Sequence, residues 1–221
     1  MNRVGVIGHR SWIAGELITE LRKEPERYTW VLPKTDVDAV DLTGFDCIYA
    51  VLGRARPTSE EGAAEVSQLA ALLRNGKPPR RIVYISSLDQ TPVKRTCEAL
   101  CRTYTGTANV VVIRPPAVFG PGQPITSPML IPSLAREGGS LELMTPDWPT
   151  KFISARHLAQ HLVKFADPMW WDHLSCAQPI TDSTFSLFEI PGTLTATPAQ
   201  LRELWRTWSS YVTSGGRGTG V

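Results

Sequence analysis

The stretch RVGVIGHRSWIAGEL, residues 3–17, sets the pattern that the rest of the chain repeats. Arg3 to Ile7 is a short, mostly apolar run, which predicts a buried strand that ends at Gly8. Ser11 can cap a helix that follows. The apolar residues of that helix recur at helical spacing, at Ile13, Leu17, Ile18 and Leu21. The stretch therefore predicts a strand, a tight turn and a helix.

Short apolar strands and helices continue to alternate as far as residue 114. Further strands are predicted at Tyr28–Leu32, Cys47–Leu52, Arg81–Ser86 and Asn109–Arg114, and further helices at Glu60–Leu73 and Val93–Tyr104. Such alternation builds right-handed βαβ units and a parallel sheet that is covered on both faces. Ligands bind these sheets beyond the carboxyl ends of the strands, so the residues just after each strand are the candidate site.

Composition limits the class of protein. The 221 residues, 42% of them hydrophobic, are enough to bury a substantial core. A formal net charge of +2 gives no electrostatic reason to expect nucleic-acid binding. No apolar run is long enough to span a bilayer and no signal-peptide pattern is present, so we expect a soluble, cytoplasmic protein that does not bind membranes. The cysteines at positions 47, 97, 101 and 176 lack metal-ligand spacing, which predicts reduced thiols and no metal site.

Four segments resemble the extended short-chain dehydrogenase/reductase family, the NAD(P)-dependent epimerases and dehydratases. The strongest is VVIRPPAVFGPG, residues 111–122, which is similar to the family's Arg-Pro-x-x-Val-Tyr-Gly-Pro-Gly stretch. KFISARHLA, residues 151–159, is similar to its Phe-Ile-His-Val-x-Asp-Leu-Ala, with His157 in place of the Asp. LTGFDCIYAVLG at 42–53 and RIVYISS at 81–87 are similar to its fourth and fifth strands.

The resemblance implies an α/β fold, a Rossmann-like doubly wound parallel sheet with a small C-terminal lobe. We expect an NAD(P)-binding domain at residues 1–123, a substrate-side lobe at 124–208 and a Gly- and Ser-rich flexible tail at 209–221. Helices are predicted near 129–137, at 155–166 and at Pro198–Trp208. The family also pairs through the helices that flank residues 60–73 and 94–104, which implies a homodimer.

The implied function is that of an NAD(P)-dependent oxidoreductase or epimerase. The substrate would be a nucleotide sugar or a similar small carbonyl or alcohol compound. The alternative is a catalytically degenerate member of the same fold, which serves as a cofactor-binding sensor or a protein-interaction module.

The family's first turn reads Gly-x-x-Gly-x-x-Gly, and Gly8, Ser11 and Ala14 take these three positions here. Gly8 keeps the tight turn, Ala14 is small enough for helix packing, and the Ser11 hydroxyl can contact phosphate or cap the helix. A helix N-terminus offers N–H groups and a positive dipole to a phosphate. An ordinary strand–helix turn is the alternative. The resemblance implies cofactor contacts at Gly8, His9, Arg10, Ser11, Trp12, Ile13, Lys34, Leu52, Gly53, Arg54, Lys94, Pro115 and Val118.

Basic residues favour NADP(H) over NAD(H). NAD-specific members of such folds carry an acidic residue after the second strand, where this chain has Lys34. Arg10 and Arg54 follow the two neighbouring strands, and cations there suit a 2′-phosphate. Solvated surface charges are the alternative interpretation.

The family's chemistry uses a Ser or Thr after the fifth strand and a Tyr-x-x-x-Lys helix. Ser87 and Lys94 match the hydroxyl and the lysine, which leaves Gln90 at the tyrosine position. Because an amide is no general acid or base, Asp89 is the alternative proton donor, and the implied catalytic set is Ser87, Asp89 and Lys94. Lys94 would also hold the cofactor ribose. In the alternative interpretation Ser87 and Asp89 cap the next turn, while Lys94 and Glu98 form an i,i+4 surface pair.

Overall fold

A computed structural model describes residues 2–8, 11–24, 27–32, 40–53, 58–88, 91–119, 151–167, 185–190 and 194–195. The strands are β1 (Asn2–Ile7), β2 (Arg27–Leu32), β3 (Cys47–Ala50), β4 (Arg81–Ile85), β5 (Asn109–Arg114), β6 (Ala117–Phe119), β7 (Lys151–Ser154), β8 (Phe185–Glu189) and β9 (Leu194–Thr195). The helices are α1 (Trp12–Leu21), α2 (Ser59–Leu73), α3 (Pro92–Arg102) and α4 (Ala155–Lys164).

Within the described ranges, the main sheet has six strands in the order β2-β1-β3-β4-β5-β8. Every neighbouring pair in it is parallel, with Val4 opposite both Thr29 and Cys47. The predicted doubly wound parallel sheet is therefore confirmed. Its order grows outward in both directions from β1 and β3, which is the arrangement that creates a topological switch point.

Two cores cover the two faces of this sheet. Successive strand residues point to opposite faces, so Val83 and Ile85 of β4 pack with α1 and α4, whereas Ile82 and Tyr84 pack with α2 and α3. Both sets of residues are almost fully buried. These short strands read as continuous apolar runs because both sides of the sheet are covered.

Several boundaries and elements differ from the sequence-based expectation. The strand β3 ends at Ala50, before the predicted Leu52, although the Val51 N–H still donates to the Ile7 carbonyl oxygen. The sequence did not predict β8, which extends the main sheet beside β5. A second small sheet was also missed; in it β6 pairs in parallel with β7, and β7 in antiparallel with β9.

The helices predicted near 129–137 and at Pro198–Trp208 lie outside the described residues, as does the tail. The division into two domains stays a prediction. Cys47, Cys97 and Cys101 are buried and form no disulfide within the described ranges, while Cys176 lies outside them. Among the helices that the structure describes, none combines the length and apolar character needed to cross a membrane.

Candidate cofactor site

The carboxyl ends of β1 and β3 lie side by side at the centre of the sheet. The Val51 N–H donates to the Ile7 carbonyl oxygen at 3.0 Å, so the backbone just past β3 is still hydrogen-bonded to the end of β1. Beyond this point they separate, because β1 leads to α1 on one face and β3 leads to α2 on the other. In parallel α/β sheets such a divergence forms the crevice in which nucleotides bind.

Gly8 makes the turn that leaves β1. It adopts a φ of +89°, and the Ser11 N–H donates to its carbonyl oxygen at 2.8 Å. A β-carbon at Gly8 would overlap the carbonyl oxygen of Val51. Both the positive φ and the close approach of β3 require glycine here. The predicted tight turn is therefore present.

The first turn of α1 follows directly and has no side-chain cap. Ser11 occupies the N-cap position, yet its hydroxyl accepts no backbone N–H, so the predicted capping bond is absent. Among the four described helices, the N-cap side chains Thr58, Thr91 and Ser154 do accept such a bond. The first turn of α1 also holds no acidic residue. The first N–H groups of α1 therefore receive no capping bond from Ser11 and no acidic side chain in the first turn.

A second glycine turn lies across the crevice, after β3. Gly53 is exposed at a φ of +76°, and the preceding Leu52 is buried. A β-carbon at Gly53 would overlap the carboxylate of Glu65 on α2. The backbone of the Leu52–Gly53 turn therefore forms the second wall of the crevice, and Glu65 packs directly behind it.

Lys94 is buried below this turn rather than exposed in the crevice. Its Nζ donates to Glu65 Oε1 at 2.6 Å, to the Tyr84 hydroxyl at 3.2 Å, and to the carbonyl oxygens of Leu52 and Ile85, both at 3.3 Å. Only 5% of the residue is exposed. Its role as a ribose ligand stays a prediction.

Tyr84 shares the same carboxylate. Its hydroxyl donates to Glu65 Oε1 at 2.7 Å from within β4. Burial, reinforced by the negative charge of Glu65, raises the pKa of Tyr84 far above its ordinary value. Tyr84 is thus a neutral hydrogen-bond donor inside the fold and stands in for no proton-transferring tyrosine.

Glu98 lies one turn beyond Lys94 and pairs elsewhere. It accepts from the Ser86 hydroxyl at 2.5 Å, and from Arg114 Nη2 at 2.5 Å and Nε at 3.0 Å. Arg114 also contacts Glu189 at 3.2 Å, which ties β5 to β8, and its hydrogen bonds to Glu98 raise the pKa of the guanidinium. The surface pair between Lys94 and Glu98 is therefore wrong, because both side chains are buried and each pairs with another element.

Ser87 follows β4 along the same edge of the sheet. The Ser86 N–H donates to Ile113 O at 2.7 Å and the Leu88 N–H to Pro115 O at 3.0 Å, so the chain stays beside β5 on both sides of Ser87. The N-cap of α3 is Thr91, whose side chain accepts from the Lys94 N–H, and the interpretation in which Ser87 and Asp89 cap the turn after β4 stays an alternative.

The structure brings most of the described candidates to this one edge of the sheet. Those at the crevice between β1 and β3 are Gly8, Ser11, Trp12, Ile13, Leu52 and Gly53. Ser87 and Pro115 follow β4 and β5, and Val118 is half-buried on β6 against the core under α1 and α4. His9, Arg10, Lys34, Arg54, Asp89 and Gln90 lie outside the described residues.

Sequence reasoning missed Glu65. A signal existed, since Glu65, Leu69 and Leu72 recur at i, i+4 and i+7, which places the glutamate on the apolar side of α2.

No protein-family model and no curated protein sequence matches this chain. Solved structures do resemble it. UDP-glucuronic acid 4-epimerase from Bacillus cereus, in complex with NAD, matches with a TM-score of 0.66 and 14% identity over 94% of this chain and 83% of that one. A putative epimerase from Burkholderia cenocepacia matches at 0.61 and 16% over 90% and 78%. A GDP-L-fucose synthetase from Naegleria fowleri matches at 0.59 and 11% over 93% and 82%. The chain therefore has the Rossmann-like α/β fold of these epimerase and synthetase structures.

Proposed function

We propose that the chain binds a nicotinamide dinucleotide at the carboxyl ends of β1 and β3. The observation that carries this proposal is the Gly8 turn, which leads into an uncapped helix N-terminus at the switch point of the sheet. Two similar structures support the cofactor class: the Bacillus cereus epimerase is in complex with NAD, and MoeE5 with UDP-glucose and NAD.

The residues of the Gly8 turn suit the diphosphate. Because Gly8 has no side chain, the diphosphate could approach the backbone of this turn closely. The N–H groups of Trp12 and Ile13 lie in the first turn of α1. The Ser11 hydroxyl is available as a further donor. His9 and Arg10 belong to the same turn in sequence, where His9 would hydrogen-bond the phosphate and Arg10 would add positive charge. Gly53 lines the opposite wall.

We further propose that the substrate is a nucleotide sugar or a similar carbonyl or alcohol compound, bound beside Ser87. A bound dinucleotide supplies a hydride acceptor or donor. Ser87 is half-buried at the carboxyl end of β4, next to β3, where its hydroxyl would orient a substrate oxygen. Asp89 follows two residues later as the proposed proton donor, and Pro115 and Val118 would line the apolar side.

A second candidate is a protein that binds the cofactor without catalysis. Two observations favour it. Gln90 takes the position that the family resemblance gives to tyrosine, and all the Lys94 donors are engaged inside the fold.

Cofactor preference, compartment and assembly complete the proposal. Lys34, Arg10 and Arg54 support NADP(H) over NAD(H) through their charge. Three buried reduced cysteines suit the reducing cytoplasm. We also propose that two copies pair through α2 and α3. The molar mass from light scattering tests whether a dimer forms.

The experiment has two arms. The first measures the melting temperature with increasing NADH and NADPH, because a ligand that binds the native state raises it. The second incubates the chain with NAD⁺ or NADP⁺ and UDP-glucuronic acid or UDP-glucose, and follows absorbance of the reduced cofactor and epimeric products by chromatography. The enzyme predicts both stabilisation and product; the sensor predicts stabilisation alone. No stabilisation by either cofactor at millimolar concentration contradicts both.

A further inference from the structure

The buried ion pair between Lys94 and Glu65 joins the two helices that pack on one face of the sheet. Nζ and Oε1 are 2.6 Å apart, and the side chains are 7% and 0% exposed. Lys94 lies on α3 and Glu65 on α2, so 29 residues separate the partners in sequence. Such a pair forms only when the helices dock.

The lysine has no spare donor. An ammonium carries three N–H groups, and Lys94 Nζ lies within hydrogen-bond distance of four protein oxygens. A ribose hydroxyl would therefore have to displace one of these. Withdrawal of Lys94 would also leave Glu65 charged and almost fully buried, which is strongly unfavourable.

The pair holds the Leu52–Gly53 turn from two sides. Lys94 donates to the Leu52 carbonyl oxygen at 3.3 Å, while the Glu65 carboxylate packs against the Gly53 α-carbon. Within the described part of the chain, Glu65 Oε2 is buried without a hydrogen-bond partner and lies against Gly53. The backbone of that turn is a wall of the proposed cofactor crevice.

We propose that Glu65 is a positioning residue for the cofactor site, which acts through Lys94 to set the backbone of the Leu52–Gly53 turn. Lys94 in turn supports cofactor binding as the counter-ion of Glu65 and not as a ribose ligand. This inference rests on the proposed binding of a nicotinamide dinucleotide. The sequence resemblance assigns the opposite role to Lys94, so the two accounts make opposite predictions for one substitution.

The deciding variant is Glu65→Gln, which keeps an acceptor for Tyr84 but leaves Lys94 without a counter-charge. If Glu65 positions the turn, the Kd for NADH and NADPH rises by about fivefold or more. If Lys94 is a ribose ligand, release from Glu65 leaves affinity unchanged or tighter, and that result overturns the proposal. Glu60→Gln is the matched control, since it removes one negative charge from the exposed first turn of the same helix.

A double-mutant cycle separates positioning from contact. Lys94→Met alone weakens cofactor binding in both accounts. In the double variant Glu65→Gln/Lys94→Met no buried charge remains unpaired, but the donor to the Leu52 carbonyl oxygen is still missing. Because Glu65 acts through Lys94, the double variant should bind the cofactor no more weakly than Lys94→Met alone. A double variant whose affinity falls by the product of the two single losses overturns the proposal.

The melting temperatures of the same samples test the pair without any cofactor. Each single substitution should lower the melting temperature by about 10 °C, and the double variant should recover most of that loss. Additive losses would show that the residues are not partners. If the wild type binds neither cofactor, the proposed function and the positioning role of Glu65 are both overturned. The melting temperatures of the four proteins then still show whether Glu65 and Lys94 stabilise the fold as a pair. If Lys94→Met does not fold, Glu65→Gln and its control remain decisive.

Discussion

Gly8 and Val51 approach so closely that a β-carbon on Gly8 would overlap the Val51 carbonyl oxygen. The contact brings the turn after β1 against the backbone just past the end of β3. Gly8 also adopts a φ of +89°, a backbone conformation that residues other than glycine rarely adopt.

Gly8→Ala should therefore lower the free energy of unfolding by about 2 to 4 kcal/mol, from backbone strain and the overlap together. The matched control is Gly15→Ala. Gly15 is exposed in α1, and an added β-carbon would meet no described atom outside its own helix backbone within 4 Å, so the same change should raise the free energy of unfolding by about 0.5 to 1 kcal/mol. Urea denaturation measures both. Equal stability of Gly8→Ala and wild type would contradict the turn geometry.

Ser11→Asp separates stability from cofactor binding. Aspartate is a good N-cap and complements the helix dipole, so this change should keep or raise the melting temperature. The added charge at the uncapped end of α1 should repel the cofactor diphosphate and weaken NADH and NADPH binding by about tenfold or more. Thr19→Asp, on the exposed part of the same helix, is the charge control and should bind normally. Unchanged affinity in Ser11→Asp would place the diphosphate elsewhere.

The Glu98–Arg114 pair should matter far more than the neighbouring Arg114–Glu189 pair. The Arg114 side chain is 21% exposed, and Glu98→Ala removes the carboxylate that accepts two of its hydrogen bonds. This substitution should lower the free energy of unfolding by about 3 kcal/mol. Glu189→Gln removes the charge of a side chain that is 51% exposed, and should cost under about 0.5 kcal/mol of unfolding free energy. Chemical denaturation of the two variants measures the ratio, and comparable losses would contradict this assignment.

The carboxyl group of Asp41 should titrate at an unusually low pH. The hydroxyl of Thr43 donates to it at 2.6 Å and Lys77 pairs with it at 3.1 Å, and these bonds lower the pKa of Asp41 from 3.8 to about 2. Because the folded-state pKa is depressed, the stability that Asp41 contributes is present above pH 3.8 and is lost as pH falls towards 2. Thr43→Val removes the hydroxyl and should raise the pKa of Asp41. Carbon-detected NMR titration measures the midpoint, and an ordinary midpoint in the wild type would contradict the contacts.

The sequence predicted the parallel sheet because strands buried on both faces leave a strong local signal. Gly8 was identified for the same reason, as the residue that ends such a strand. Ser11 was placed correctly at the start of α1, whereas its lack of a capping bond depends on side-chain orientation, which local sequence does not determine.

The partners of the buried polar side chains could not be predicted from the sequence. Lys94 and Glu98 are four residues apart on one helix, a spacing typical of a surface pair. Both side chains are instead buried, and each forms an ion pair with a residue from another element. Glu65 and Arg114 become neighbours of α3 only after the sheet has formed. Likewise, β8 is short and adds to the edge of the sheet beside β5, so its pairing depends on distant residues.

Calorimetric titration of the wild-type chain with NADH and with NADPH tests the central claim most directly. The account predicts saturable binding of one dinucleotide per chain, with NADPH bound more tightly than NADH. Absence of saturable binding with both cofactors at millimolar concentration, in protein shown to be folded, would contradict it.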